Sequence, residues 1–171
     1  MTGRVAIITD SSACIPAELV EKYGIELVPM NVILGDKTYR DGIDISPTEF
    51  YTLDYLVKGG HVRRAAALAS SLLRIKPIFS LNEGDAHPVT NARTTLGAIK
   101  RIINIMGQKV VKGQPLHVAV MHADALDAAI VLRDRISSQF DCIELFITEF
   151  TPVMGAHIGP GLVGIAFYSG D

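Results

Sequence analysis

The chain has 171 residues, enough for one medium-sized domain or for a domain with a small subdomain. Its composition, with 49% hydrophobic and 20% charged residues, is typical of a folded protein and excludes a disordered chain. The formal net charge of −2 excludes the basic field with which proteins hold nucleic acids through their phosphates.

The N-terminal part predicts a β-α-β-β unit. A β-branched apolar run is typical of a buried parallel strand, and Pro16 suits the first position of a short helix that Gly24 ends. The turn signal Gly35-Asp36 then separates two further strands. The predicted elements are a strand over residues 5–9, a helix to residue 23, a strand over 25–34 and an antiparallel strand over 37–40.

A capping box marks the next helix. Ser46 and Glu49 can each satisfy a backbone N–H of the other, so a helix is predicted from Pro47 to the glycine pair at 59–60. Strands and helices then alternate, which is typical of a mixed α/β protein. The predicted elements are a helix over 64–73, a hairpin of strands over 75–81 and 86–90, a helix over 92–110, a strand over 116–121, a helix over 125–139, and strands over 142–150 and 162–168.

Two units are expected, residues 1–52 and residues 53–171. The few strands and single helix of the first unit cannot cover both faces of a parallel pair, so this unit is an incomplete subdomain and self-association is expected. The second unit has enough elements to fold alone. Cys14 and Cys142 lie beside apolar residues and are expected to be buried thiols in a reducing cytosol. The first apolar run is too short for a signal peptide, which also predicts a cytoplasmic protein.

Residues 9–12 (Thr-Asp-Ser-Ser) follow the first strand, at the end where ligands bind in open α/β sheets. Ser11 and Ser12 offer hydroxyl and backbone donors that suit an anion. A simple capped turn is the more common use of such a pattern.

Residues 155–161 (Gly-Ala-His-Ile-Gly-Pro-Gly) form the most specific motif of the chain, in a predicted loop between two strands. Its glycines let the backbone approach a ligand and point successive N–H groups into one concavity, and His157 adds a donor or proton acceptor. A tight loop with a satisfied histidine explains the pattern equally well.

Two cationic positions are weaker candidates. His61 follows the glycine pair at a predicted helix end, where a solvated basic turn is the commoner outcome. Arg93 lies at a predicted helix start, where a cation opposes the helix dipole. The sequence carries no hydrolase, nucleotide-binding or metal-binding motif, so no enzymatic activity, metal or cofactor is expected. His117 and His122 bracket an apolar strand and are expected to be structural or surface groups.

Several stretches, in order, resemble the DegV family of fatty-acid-binding proteins. Ile-Thr-Asp-Ser-Ser at 8–12, Tyr-Gly-Ile at 23–25 and Tyr-Arg-Asp-Gly at 39–42 resemble the family's opening. Leu-x-Tyr-Leu-x-Lys-Gly-Gly and Leu-Leu-x-Ile-Lys-Pro, within 53–77, are similar to the start of its second domain, and Gly-x-His-x-Gly-Pro-Gly resembles its C-terminal signature.

The resemblance implies an α/β, DegV-like fold, with a truncated N-terminal β-α-β-β unit followed by a mixed/antiparallel-sheet α/β domain. It implies non-enzymatic binding of a long-chain fatty acid in a tunnel lined by residues such as Leu72, Ile78 and Leu162. The carboxylate would lie near the 155–161 loop and be presented to a partner fatty-acid kinase. The implied or expected lipid- and carboxylate-binding residues are Ser11, Ser12, His61, Arg93, Gly155, His157, Gly159 and Gly161.

The resemblance implies that the middle of the family's chain is missing from this sequence. The family's Thr-Ser-Gln-Pro and Ser-Gly-Thr segments, which contact the carboxylate, should lie between Tyr51 and Leu53, and His61 replaces the arginine usual after Gly-Gly. Burial of an acyl chain of about sixteen carbons contributes on the order of 10 kcal/mol. An unpaired buried carboxylate costs several kcal/mol, so the site is expected to bind weakly unless Ser11, Ser12 or a second subunit replaces the missing donors.

Two alternatives remain. One is a protein that keeps the fold as an interaction or vestigial protein and has lost lipid binding through the internal deletion. The other, ranked last, is a phosphate-handling enzyme that uses His157 as acid or base, although no carboxylate is placed by the sequence to orient this histidine.

Overall fold

A computed structural model describes residues 6–52, 75–82 and 85–170 of the chain. Its strands are β1 (Ile8–Asp10), β2 (Glu26–Val28), β3 (Asn31–Leu34), β4 (Lys37–Arg40), β5 (Lys76–Asn82), β6 (Asp85–Ala92), β7 (Leu116–Ala123), β8 (Glu144–Glu149) and β9 (Leu162–Ser169). Its α-helices are α1 (Ala17–Tyr23), α2 (Pro47–Thr52), α3 (Thr95–Lys109), α4 (Leu126–Ser137) and α5 (Pro152–Ile158), and a 3-10 turn covers Ser11–Ala13. The mixed α/β fold predicted from the sequence is confirmed.

The N-terminal unit contains two small sheets. β1 and β2 pair in parallel, and β3 and β4 form an antiparallel hairpin around Gly35-Asp36, as predicted. The single strand predicted over 25–34 is wrong, because the chain leaves one sheet after β2 and enters the other at β3. Pro29, in the gap, has no backbone N–H to donate to a ladder.

The capping box is confirmed at the start of α2. Ser46 N donates to Glu49 Oε2 at 2.9 Å, and Glu49 N donates to Ser46 Oγ at 3.2 Å. α2 packs Phe50 into a small core with Val32 and Ile45, and Val153 of α5 packs against the same core. The predicted continuation of this helix to 59–60 and the helix over 64–73 lie outside the described residues.

The C-terminal unit is built on a three-stranded sheet in the order β8-β7-β9. β8 runs parallel and β9 antiparallel to β7, so the sheet is mixed, as predicted. The alternation of β7 points one set of side chains at α3 and α4 and the other set at the opposite face. The core on the helical face contains Ile99, Ile103, Met106, Leu116, Val118, Val120, Ala129, Leu132 and Ile136.

The hairpin of β5 and β6 is confirmed as an antiparallel pair, with Lys76 opposite Ala92. β6 runs further than predicted, and α3 begins at Thr95 because Thr94 Oγ1 accepts from Gly97 N at 3.0 Å. The prediction that Arg93 starts this helix is therefore wrong, since Arg93 precedes the capping residue.

The segment before β9 also differs from expectation. Residues 152–158, predicted as part of a glycine-rich loop, form α5, with Pro152 at a helix start that suits proline. Only the turn Gly159–Gly161 stays outside regular structure. The prediction of a loop over these residues is wrong, because Pro152 begins a helix that continues through Gly155.

Both cysteines are free, Cys14 buried and Cys142 half-buried. Within the described ranges, the helices are too short or too polar to cross a lipid bilayer.

Candidate functional site

Three chain segments meet at one edge of the three-stranded sheet, where the parallel strands β7 and β8 end. Thr148 Oγ1 donates to Cys14 O at 2.7 Å, and Thr151 Oγ1 donates to Ser11 O at 3.4 Å. Gly161 N donates to Ala123 O, the last residue of β7, at 2.7 Å. We call this meeting point of the Ser11–Cys14 turn, α5 and the Gly159–Gly161 turn the junction. Ligands in α/β proteins bind at such carboxyl edges.

The two predicted serines have different surroundings at the junction. Ser11 is buried, and its hydroxyl donates to Asp41 Oδ2 at 2.6 Å while accepting from Met30 N at 3.1 Å. Ser12 donates from both N and Oγ to Asp10 Oδ1, at 2.8 and 2.5 Å. These bonds, the side-chain one first, lower the pKa of the Asp10 carboxyl. Both hydroxyl protons are therefore engaged inside the protein.

Asp41 was not predicted from the sequence as a site residue. Its side chain is 2% exposed, and its Oδ1 accepts from Val153 N in the first turn of α5 at 3.1 Å. Thr151, the N-cap residue of α5, makes no side-chain capping bond. Asp41 therefore caps α5 from a distant part of the chain. The only sequence signal was its place in the Tyr-Arg-Asp-Gly stretch.

Cys14 closes the turn after β1 in a left-handed conformation, with φ 52°. Its buried thiol donates to Ser12 O at 3.3 Å and lies in a small apolar cluster with Ala123 and Phe150. Burial raises the pKa of this thiol, so it is neutral at pH 7. Cys14 thus contributes packing to the junction rather than a reactive thiolate.

The backbone N–H groups of the three motif glycines at 155, 159 and 161 are already hydrogen-bonded within the protein. The N–H groups of Gly155, Gly159 and Gly161 donate to Thr151 O, Gly155 O and Ala123 O. The expected concavity of free N–H groups is therefore wrong for these three glycines. Gly159 and Gly161 have φ 77° and 91°, and open space surrounds the position of a Cβ at each. The side chain of His157 lies outside the described part of the structure.

Behind the junction, the second face of the sheet is apolar and has small side chains along its middle. On this face Ala119 of β7 lies opposite Ala166 of β9, and Met121 lies opposite Gly164. No atom lies within 4 Å of where a Cβ on Gly164 would be. We call Ala119, Gly164 and Ala166 the small-residue row. Phe146, opposite Ala119 on β8, borders it.

The far end of this face is polar and aromatic. His117 stacks on Tyr168 with ring centroids 4.7 Å apart, and its Nδ1 lies 3.0 Å from Glu144 Oε2. On the helical face, at the junction end of β7, His122 is buried and its Nδ1 accepts from Ala125 N at 3.5 Å. Across the described residues, no group of three or more His, Cys, Asp or Glu side chains could hold a metal ion.

Arg93 lies elsewhere, in an open groove of about 510 Å³. Arg101 shares the groove and donates from Nη1 to Thr90 Oγ1 at 2.7 Å and also to Asn91 O. The structure therefore brings Arg93 to Arg101 and not to the junction. The groove is lined by Ile75, Asn91, Ala92, Arg93, Gly97 and Arg101.

The residues named as a tunnel lining are also dispersed. Ile78 is 7% exposed and packs against Ala92 and Ala98, so it belongs to the core between the hairpin and α3. Leu162 lies opposite Ala123 at the junction end of the sheet. His61 and Leu72 lie outside the residues that the structure describes.

Comparison with known proteins gives one consistent family. A family model described as "Uncharacterised protein, DegV family" matches residues 4–53 and 52–170. A DegV domain-containing protein of Streptomyces coelicolor is 39% identical over 171 residues, which cover 98% of this chain and 58% of that protein. A DegV domain-containing protein of Halalkalibacterium halodurans is 34% identical over 118 residues, which cover 69% of this chain and 42% of that protein. The chain spans about half the length of these relatives.

Solved structures have the same fold. A DegV family protein from Thermus thermophilus, described by its fatty acid binding, has a TM-score of 0.81 at 18% identity and covers 98% of this chain and 100% of its own. DegV of Bacillus subtilis, described as a fatty acid binding protein, has a TM-score of 0.74 at 20% identity, with 97% and 99% covered. At these identities the likeness establishes the fold.

Proposed function

The chain belongs to the DegV family, and on this premise we propose that it binds a long-chain fatty acid without catalysing a reaction. Fatty-acid binding is named for the Thermus thermophilus and Bacillus subtilis proteins that share its fold. The observation that carries the proposal for this chain is the apolar sheet face that begins at the junction. A polar edge joined to an apolar face suits a ligand with a carboxylate head and a hydrocarbon tail.

The small-residue row is the proposed path of the acyl chain. A strand rises about 3.3 Å per residue, so β7 offers roughly 20 Å between Ala123 and His117. The missing side chain of Gly164 and the methyl groups of Ala119 and Ala166 leave room in the middle of this length, between Met121 and the stacked His117 and Tyr168. Burial of apolar surface contributes about 25 cal/mol per Å², so the contribution of this face to binding would grow with the area of the tail that it covers.

The carboxylate is proposed to lie at the junction beside Gly159–Gly161. Because the glycine N–H groups there are engaged, His157 is the proposed donor, as the family signature implies. Ser11 and Ser12 would contribute only by exchanging an internal hydrogen bond for one to the ligand. Arg93, in its separate groove, is proposed to meet the acyl phosphate or a partner fatty-acid kinase, and His61 is proposed to contact the lipid carboxylate.

Native mass spectrometry tests the proposal directly. The purified chain, incubated with oleate or palmitate, is expected to carry one fatty acid per chain and to release it on denaturation. An unchanged apo mass at saturating fatty acid would contradict the proposal and favour the alternative, in which fold and interaction surface are kept and lipid binding is lost.

Gly164→Leu tests the acyl path. The new side chain enters open space over the small-residue row, so the fold is retained while fatty-acid affinity falls at least tenfold, about 1.4 kcal/mol. Isothermal titration with oleate measures the change. Thr38→Leu, which adds a similar side chain at an exposed position of β4, is the matched control and should bind as the wild type does. Equal fatty-acid affinities of Gly164→Leu and Thr38→Leu would show that the small-residue row is not part of the binding site.

A second candidate is an interaction protein. The observation favouring it is the exposure of Ile8, Ile33 and Ile43 in the N-terminal unit, together with the partial coverage of the longer relatives. The two family-model matches meet at residues 52–53, which supports the interpretation that the middle of the family's chain is missing. The candidates are separated by the mass measurement, since only the first predicts a bound lipid.

A further inference from the structure

One buried carboxylate links the two halves of the junction. Asp41 Oδ2 accepts from the hydroxyl of Ser11 at 2.6 Å, and Oδ1 accepts from the backbone N–H of Val153 at 3.1 Å. These partners lie 30 and 112 residues away in sequence. The backbone of Asp41 is held as well, since its N–H donates to Met30 O at 2.8 Å. The carboxylate is therefore fixed on both sides.

Among the described residues, the partners of the Asp41 side chain are a hydroxyl and a backbone N–H. Of the described lysine, arginine and histidine side chains, none forms an ion pair with it. A buried carboxylate requires strong donors, and hydrogen bonds to an ionised acceptor are stronger than those between neutral groups. The N-terminal end of α5 adds a favourable field, because helix N-termini carry partial positive charge.

α5 depends on this contact for its position. Thr151 directs its hydroxyl to Ser11 O instead of capping the helix, so Asp41 supplies the missing cap. Val153 of α5 packs against the Val32 core and Met154 against the Cys14 cluster. Hydrophobic contact is non-directional, so a directed hydrogen bond further defines the register of the helix. One bond of Asp41 reaches the first turn of α5 at Val153 and the other reaches Ser11, so together they tie α5 to the Ser11 turn.

We propose that Asp41 is a positioning residue of the fatty-acid site. Its carboxylate sets the spacing between the Ser11 turn and α5. Gly159 is the C-cap residue of α5, so the register of the helix determines where the Gly159–Gly161 turn lies relative to Ser12. The inference rests on the proposed function, because it assigns Asp41 to the alignment of that site.

Asp41→Asn is the central test. The amide preserves the shape but replaces one acceptor oxygen with an N–H2 donor, so the bonds from Ser11 and Val153 cannot both be kept as they are. We expect at least a tenfold loss of affinity for oleate and faster hydrogen exchange of the Val153 amide. Asp44→Asn is the matched control, because Asp44 is an exposed aspartate bonded to Arg40, and it should change neither quantity.

Leu132→Ala separates positioning from stability. Leu132 is fully buried between the sheet and the helices, so its truncation lowers Tm without touching the junction. Measured well below its Tm, this variant should bind oleate as the wild type does. An equal loss of affinity in Leu132→Ala and Asp41→Asn would overturn the positioning role, and so would wild-type affinity in Asp41→Asn.

Two further outcomes are decisive. If the wild type binds no fatty acid, the proposed function fails, and the role of Asp41 is then tested by hydrogen exchange of the Val153 amide alone. Unchanged exchange in Asp41→Asn rejects the role of Asp41 in docking α5. Faster exchange supports it. If Asp41→Asn does not fold, Asp41→Glu takes its place. The longer side chain keeps both acceptor oxygens but moves them by one methylene, so lower affinity and faster exchange of the Val153 amide are expected, and unchanged affinity rejects the inference.

Discussion

Asp41 and Asp44 lie three residues apart and have opposite environments. Asp41 is 2% exposed and is held by donors from two distant segments. Asp44 lies on the surface, where Arg40 donates to its two oxygens from Nε and Nη2 at 2.9 Å. The side-chain bonds from Arg40, with a further bond from its backbone N–H, lower the pKa of Asp44 to about 2. Because solvent screens this pair, it contributes little to stability at neutral pH.

The Asp44 pair predicts a narrow pH dependence. Its folded-state pKa of about 2 lies below the ordinary value of 3.8, so its stabilisation is fully present above about pH 4 and is lost as the pH falls towards 2. In urea unfolding, the small difference in free energy between the wild type and Asp44→Asn should vanish over that range. Asp36→Asn, in the exposed hairpin turn, controls for removal of one surface charge. A difference that stays constant to pH 2 would contradict the assigned cause.

At the scale of elements, the N-termini of α2 and α5 are capped in different ways. α2 carries its own capping box in Ser46 and Glu49, whereas α5 is capped by Asp41. A local cap stabilises one helix, and a distant cap also aligns two parts of the chain. Ser46→Ala should therefore lower the free energy of unfolding by about 1 kcal/mol and leave fatty-acid affinity unchanged.

Thermal unfolding measures the effect of Ser46→Ala. Glu49→Gln is the matched control, since glutamine keeps an acceptor at the third position of a capping box and should lower stability less. A loss of fatty-acid affinity in Ser46→Ala would show that α2 also takes part in aligning the junction.

The turn at the end of α5 gives a second prediction at this scale. Gly159 has φ 77° and ψ 164°, a conformation available essentially to glycine alone, with open space around its Cβ position. Gly159→Ala should destabilise the fold by about 1–3 kcal/mol through backbone strain. Gly164→Ala also enters open space, but its φ is not in the left-handed region, so it should cost no stability. Equal Tm values for the two variants would show that Gly159 relaxes without strain.

At the scale of the whole molecule, the N-terminal unit leaves apolar side chains in solvent. β1 and β2 form a parallel pair in which Ile8 is 61% and Val28 is 50% exposed, although parallel sheets are normally covered on both faces. In the second small sheet, Ile33 of β3 is 71% exposed. A second copy of the chain is the proposed cover, as the sequence led us to expect.

Sedimentation equilibrium tests self-association. The wild type is expected to show a concentration-dependent dimer, and Ile33→Lys to shift the distribution towards the monomer, because the lysine charge cannot be buried unpaired. Val111→Lys, at an exposed position after α3, is the control and should leave the dimer intact. A strictly monomeric wild type would contradict the prediction.

Much of the local structure was predictable because its signals are local. The capping box of α2, the helix stop at Gly24 and the hairpin turn at Gly35 all match the predictions. The errors occur where a local sequence signal competes with hydrogen bonding between strands. The strand over 25–34 divides between two sheets, and β6 extends through Ala92 because pairing with Lys76 outweighs an early helix start.

The sequence by itself determined the family and the mixed α/β class, because ordered motifs and hydrophobic periodicity are properties of neighbouring residues. Only the tertiary structure decided that the Ser11 hydroxyl and the glycine N–H groups bond within the protein, that Arg93 shares a groove with Arg101, and that Asp41 joins Ser11 to α5. The bonds of Asp41 connect residues 30 and 112 positions apart, and sequence spacing carries no information on which distant donors a buried carboxylate will meet.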